Sequence, residues 1–134
     1  MLPDTLSTAR LHLRPVEAGD ARAIFERYAQ DPEVTRYMTW RPHRDLAETD
    51  GYVASCLALD PALGRVLAIV GRGDGLLRGN MHLRRPARHR VEFGYCLARA
   101  FWGDGLMTEA LRATVAWALA EPNVASESRE GCSR

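Results

Sequence analysis

The sequence predicts a single α/β domain in which a mostly antiparallel central sheet is flanked by helices. Three observations predict it. Residues Arg10-Leu11-His12-Leu13-Arg14 alternate polar and apolar, as a half-buried strand does. Residues 65–97 read as a meander of short strands around a Gly73-Asp74-Gly75 turn. From Leu106 the period changes to that of a helix, with Leu106, Ala110, Ala113 and Trp117 at offsets of 4, 3 and 4.

The elements follow in chain order. After the Leu11/Leu13 strand, residues 17–30 carry Ala21, Ile24, Phe25 and Tyr28 at helical spacing, with Asp20 as the predicted N-cap. Asp31-Pro32 restarts a short helix, because Asp caps well and Pro suits the first helical position. Asp45 opens a third helix through Leu46, Tyr52, Val53, Cys56 and Leu57, which Gly51 weakens by up to about 1 kcal/mol. Strands are predicted at 65–71, 76–83 and 91–97, with 84–90 a basic loop broken by Pro86. In the last strand Val91, Phe93, Tyr95 and Leu97 share one face, and Glu92, Gly94 and Cys96 share the other. The long helix ends near Ala120, before Pro122, and residues 121–134 read as a polar, disordered tail, leaving 1–120 as the domain.

Composition excludes several classes. The 134 residues are 46% hydrophobic and 26% charged, an ordinary globular balance. Net charge is +1, from 18 arginines, no lysine and 17 acidic residues, which argues against nucleic-acid binding through bulk charge. No apolar run approaches membrane-spanning length, and the first residues lack the pattern of a signal peptide. Three cysteines, Cys56, Cys96 and Cys132, are far apart with no CxxC pair, so neither a disulfide framework nor a metal site is expected, and a reducing cytoplasm fits best. His12 and His82 have no partner at metal spacing. Arg72-Gly73-Asp74 is read as part of a hairpin turn. The long helix is apolar over most of its circumference, which predicts self-association through an uncovered face.

The chemistry is concentrated in residues 95–110, which run strand, tight Gly103-Asp104-Gly105 turn, helix. Two glycines let the backbone turn sharply and approach a ligand. The free N–H groups of the helix start, with the positive end of the dipole behind them, would form an anion site suited to phosphate, the alternative on the glycines alone being a plain strand-to-helix turn. The string is not the dinucleotide fingerprint, because Thr108 stands where a third glycine is needed.

Four segments together resemble the GNAT superfamily of acyl-CoA-dependent acetyltransferases, and within it the RimJ/RimL-type ribosomal-protein acetyltransferase group. Thr8-Ala9-Arg10-Leu11-His12-Leu13-Arg14-Pro15 is similar to the family's first strand. Asp31-Pro32-Glu33-Val34-Thr35-Arg36-Tyr37-Met38 with Trp40 is similar to its second helix. Glu92-Phe93-Gly94-Tyr95-Cys96-Leu97 is similar to its fourth strand, and residues 101–110 to its coenzyme pyrophosphate loop and following helix.

The resemblance implies acetyl transfer from acetyl-CoA to a primary amine, either a protein N-terminus or a small molecule, with no metal and no covalent enzyme intermediate. The amides of Trp102, Gly103, Asp104, Gly105, Leu106 and Met107 would cradle the pyrophosphate, with the Thr108 hydroxyl as a further donor. Exposed backbone at Cys96, Leu97 and Ala98 would pair with pantetheine as an added strand. Glu92 is the candidate general base, the alternative being a solvated or salt-bridged Glu. Trp40, with Arg41 and His43, falls where the family shapes its acceptor site, the alternative being a mobile loop with no role. Two loop residues depart from the family pattern, Ala100 and Asp104, where Gln or Arg and a basic residue are usual. The family continues past the long helix with a parallel strand, a helix and further strands, which the chain is expected to lack. The alternative function is accordingly a truncated, non-catalytic remnant that binds coenzyme A weakly or acts through protein association.

Overall fold

The computed structural model describes residues 5–36, 41–60, 63–87, 90–120 and 125–128. Six strands form one sheet in sequential order: β1 (Leu6–Ser7), β2 (Leu11–Pro15), β3 (Gly64–Gly71), β4 (Leu77–Ala87), β5 (Arg90–Leu97) and β6 (Ala125–Ser128). The first five pair antiparallel and β6 pairs parallel to β5, Arg90 opposite Ala125 through Phe93 opposite Ser128. The fold is the predicted α/β one.

The helices divide between the two faces. Between β2 and β3 lie α1 (Ala21–Ile24), continued by a π turn at Phe25–Ala29, then α2 (Pro32–Thr35) and α3 (Leu46–Leu57). They cover one face, where Ile24, Tyr28, Val34 and Val53 pack on Val66, Ala68, Val70 and Cys96. Helix α4 (Leu106–Ala120) follows β5 and covers the other face, where Leu106, Met107 and Ala110 pack on Leu13, Ile69, Met81, Leu83 and Phe93. Two leucines of the opening alternation, Leu11 and Leu13, are fully buried in that second core.

The capping expectations separate cleanly. Asp31 and Asp45 cap α2 and α3 through Oδ1, from the Glu33 amide (2.9 Å) and the Glu48 amide (3.0 Å). Asp20 does not cap α1: its carboxylate accepts from both Arg14 Nη atoms (2.9 and 2.8 Å) and from the Glu17 amide (2.7 Å). A buried Asp beside an Arg finds a stronger, charge-assisted partner than a neutral amide.

Two expectations are corrected. The basic loop at 84–90 is mostly strand: β4 runs on to Ala87, with an irregularity between Arg84 and Ala87 at the Pro86 position. The tail is not wholly unstructured, nor does the chain lack the parallel strand, because residues 125–128 form β6 on β5. Ala125-Ser126-Glu127-Ser128 shows no apolar alternation, and its pairing through the backbone leaves no signal in side-chain pattern. Among the described residues no helix follows α4, and no helix is long and apolar enough to cross a membrane.

Candidate active site

The turn from β5 into α4 forms the candidate anion cradle. Ala98 leaves the strand, Arg99–Phe101 make one 3-10 turn, and Trp102 is extended. Gly103 and Gly105 then take φ of +86° and +75°, values that L side chains adopt only with strain. This fold-back leaves the amides of Gly103 through Met107 without a backbone acceptor among the described residues, at the start of α4. The Trp102 amide is not among them, since it closes the 3-10 turn on Arg99 O (3.1 Å). The cradle is therefore one donor smaller than predicted. Asp104 and Thr108 are exposed at its rim.

Long-range bonds hold the cradle in place. Glu109, in the first turn of α4, accepts from the Thr8 hydroxyl and from Arg10 N (2.9 Å) and Nε (2.7 Å). These hydrogen bonds, with the Arg10 charge, hold its carboxyl at about 2. Arg10 Nη1 also donates to Asp104 O (3.1 Å). On the other side Arg99 donates two bonds to Asp31 (3.0 and 2.6 Å), the residue that caps α2.

The strand that leads into the cradle is less open than predicted. Cys96, Leu97 and Ala98 are 2%, 1% and 2% exposed. The Ala98 amide donates to Arg78 O (2.7 Å), and the Leu97 carbonyl accepts from Trp102 Nε1 (2.7 Å). The Ala98 amide and the Leu97 carbonyl are thus taken within the chain, the Trp102 indole folding back over the strand end. Alternation along β5 turns the Leu97 N–H away from β4, toward the β6 edge. Beyond Phe93 that edge has no paired strand among the described residues.

Glu92 lies on the β5 face that Cys96 shares, opposite Arg84 of β4. It is 6% exposed, and Arg84 Nη2 and Arg90 Nη2 donate to Oε1 and Oε2, each at 2.9 Å. The carboxylate is buried and salt-bridged on both oxygens. Trp40 lies outside the described residues. Arg41 pairs with Glu48 (2.9 Å), and His43 Nδ1 bonds Thr49 Oγ1 (2.7 Å).

The structure adds a polar chain that sequence reasoning did not assemble. Asn80 and His82 of β4 lie opposite Cys96 and Gly94, on the Glu92 face. Asn80 Nδ2 donates to Tyr28 Oη (2.9 Å) and Tyr52 Oη (3.2 Å), and Tyr52 Oη bonds His82 Nε2 (2.8 Å). Burial pushes both tyrosines well above their usual range and lowers His82 to about 4, so the imidazole is neutral at pH 7. Asn80 Oδ1 is buried with no partner. The available signal was polar residues at inward positions of a strand, which does not reveal what reaches them from two helices. Beside this chain, an apolar pocket of about 410 Å³ is lined by Tyr52, Cys56, Val66, His82, Leu83 and Arg84.

A sequential sheet with a parallel β5–β6 pair, and a Gly-x-Gly turn that opens α4 across one face, define an α/β transferase architecture. The chain matches the family model for the acetyltransferase (GNAT) domain over residues 10–129, and it belongs to that family of acetyltransferases. A curated relative, "Uncharacterized N-acetyltransferase p20" of Bacillus licheniformis, is 31% identical over 124 residues, covering 90% of this chain and 69% of that protein. Solved structures share the fold. A GNAT-family acetyltransferase from Bacillus anthracis superposes with TM-score 0.77 at 21% identity, over 90% of this chain and 69% of that one. RimL, described as a ribosomal L7/L12 alpha-N-protein acetyltransferase in complex with coenzyme A, gives 0.76 at 17% identity, over 90% and 70%.

Proposed function

We propose that this acetyltransferase moves the acetyl group of acetyl-CoA to a primary amine. The observation that carries the reading is the row of free amides from Gly103 to Met107 at the start of α4, in line with the β5 edge. Pyrophosphate satisfies those donors. Pantetheine then runs back along β5 toward Gly94, and the Leu97 amide is its nearest strand donor. Trp102 must swing off the Leu97 carbonyl for the full ladder to form.

The reaction is direct. A neutral amine adds to the thioester carbonyl, the tetrahedral species collapses, and coenzyme A leaves as thiolate. One proton leaves the amine and one returns to the sulfur. Glu92, on the same face as the apolar pocket and bonded to the Arg84 that lines it, is the proposed base, acting through water on the amine. The apolar lining favours an acceptor whose amine is carried on a hydrophobic residue or chain. Whether that acceptor is a protein N-terminus, as with RimL, or a small molecule is resolved by assay. A reducing cytoplasm as the compartment is part of the same proposal.

A second reading follows from the buried strand end. If Trp102 stays on Leu97, the chain binds coenzyme A weakly and does not turn over. Calorimetric titration with acetyl-CoA, followed by thiol release in the presence of a panel of amines and N-terminal peptides, separates the two. Saturable binding with acceptor-dependent thiol release supports transfer. Weak binding without release supports the second reading, and no binding removes both.

A further inference from the structure

The apolar pocket beside Glu92 has one strongly charged edge. Leu59, Leu63, Val66 and Leu83 supply apolar walls, and Arg84 sits at the mouth with its side chain 67% exposed. Arg84 Nη2 donates to Glu92 Oε1 at 2.9 Å, and the rest of the guanidinium has no partner among the described residues. A guanidinium carries five N–H donors in a planar fork, so most of its donor capacity is unspent. Charge around it is lopsided. Residues 84–90 include Arg84, Arg85, Arg88, His89 and Arg90, in a chain whose net charge is only +1. Arg84 and Arg90 share the one carboxylate of Glu92. Arg65 also lines the pocket, and Asp60 is the acidic residue in that lining. The Arg84 charge reaches inside: His82, in the same lining, is lowered to about 4 by burial first and by Arg84 second.

We infer that Arg84 is a carboxylate subsite for the acceptor, so that this pocket selects an amine carrying a negative charge a few bonds from its nitrogen. The inference rests on the acetyl-transfer reading and deepens it by naming the chemistry of the acceptor. A positive edge raises the cost of a plain ammonium ion and holds the amine toward its neutral, nucleophilic form. For the same reason it repels polycationic amines. An acceptor that brings its own carboxylate meets the open side of the Arg84 fork, a pairing stronger and more directional than contact with a point charge. Arg84 also grips the proposed base, so an acceptor held by Arg84 has its amine at a set distance from Glu92. Two sources offer this chemistry: an acidic residue early in a protein N-terminus, and the carboxylate of a small amino acid.

Acetyl transfer by the full chain, read as thiol release from acetyl-CoA, tests this with two matched pairs of acceptors. Peptides beginning leucine-glutamate and leucine-glutamine differ by one charge, as do 5-aminopentanoate and its amide. In the wild type the charged member of one pair is expected to have a kcat/KM about 5–10-fold higher, carried by KM. The preference should shrink as salt rises. Preference within the peptide pair points to a protein N-terminus, and preference within the other pair to a small molecule. Arg84→Gln should slow transfer to every acceptor, because it loosens Glu92, so the readout is the ratio within a pair, in which that loss cancels. The ratio should fall to near one in Arg84→Gln and be partly kept in Arg84→Lys, which retains the charge without the fork. Equal efficiency within both pairs in the wild type, or a preference that Arg84→Gln leaves undiminished, would overturn the subsite while leaving acetyl transfer intact. The wild-type ratio and its salt dependence stand even if the variants fold poorly. Transfer to none of the four acceptors by a chain that binds acetyl-CoA also overturns the subsite, and absence of acetyl-CoA binding removes the coenzyme reading with it.

Discussion

Charge placement at Glu92 decides what that residue can do. A carboxylate that is 6% exposed and touches two guanidiniums is fixed in orientation, because loss of either partner would leave a buried ionic group under-compensated. On the proposed mechanism this group takes the amine's proton through a bridging water. Glu92→Gln preserves shape and removes this capacity. Turnover of an acceptor found by assay should fall about 10²–10⁴-fold with coenzyme affinity nearly unchanged, and an unaltered rate would take Glu92 out of the mechanism. Asp104 bears on coenzyme binding rather than on the chemistry. It stands exposed between the two positive-φ glycines, where on the proposed reading its carboxylate would oppose a bound pyrophosphate. Two unit charges about 4 Å apart repel by about 1 kcal/mol in water and about 4 kcal/mol at an effective dielectric of 20. Asp104→Arg should therefore tighten acetyl-CoA binding about 5–30-fold in a titration. Unchanged affinity would mean that the phosphate does not lie at this turn.

At the scale of elements, the β4–β5 pair sets the geometry of the site, and one glycine sets the pair. A Cβ at Gly79 would meet the Cys96 carbonyl oxygen at 2.1 Å and Leu97 Cα at 2.9 Å, backbone atoms that cannot step aside. Gly79→Ala should force the strands apart where the cradle begins. A loss of about 1–3 kcal/mol of stability, with weakened coenzyme binding, is expected in urea unfolding and titration. An unshifted midpoint would mean the hairpin flexes. Much at this scale was legible beforehand. Period-two alternation fixed the opposite faces of Phe93 and Glu92, and the switch to period 3.6 placed α4 at Leu106, its observed start. What escaped had a common cause, which is that partners lay across the fold. The Asn80 chain joins the π turn after α1, α3 and β4, Arg10 reaches Glu109 from the β1–β2 connection, and β6 is held by backbone pairing. The apolar exposure behind the self-association reading also lay elsewhere. Among described side chains, the large exposed hydrophobics are Leu57, Leu59 and Leu63 around the α3–β3 turn, with Leu76, rather than residues of α4.

For the whole molecule, the buried polar chain couples stability to pH in a window that carboxylates do not cover. His82 is lowered from 6.5 to about 4 by burial first and by the Arg84 charge second, so the folded state holds it neutral while the unfolded chain protonates it near 6.5. The unfolded state therefore binds more protons between those values. Its contribution is full above about pH 6.5 and is lost as pH falls toward 4. At 1.36 kcal/mol per unit, that loss is about 3 kcal/mol across the window. The carboxylates act lower down. Asp74 and Glu109 are held at about 2, and Asp31 is also lowered, chiefly by the Arg99 hydrogen bonds, so their stabilisation persists until pH falls below the usual carboxylate range. Urea unfolding of the wild type should show stability declining in two stages, the first between pH 6.5 and 4 and the second below it. His82→Gln keeps an acceptor for the Tyr52 hydroxyl but cannot gain a proton. In that variant the first stage should flatten and the second remain. Parallel pH profiles for the two proteins would mean that the Tyr52–His82 contact opens to water in the folded state, and that the acid sensitivity arises elsewhere.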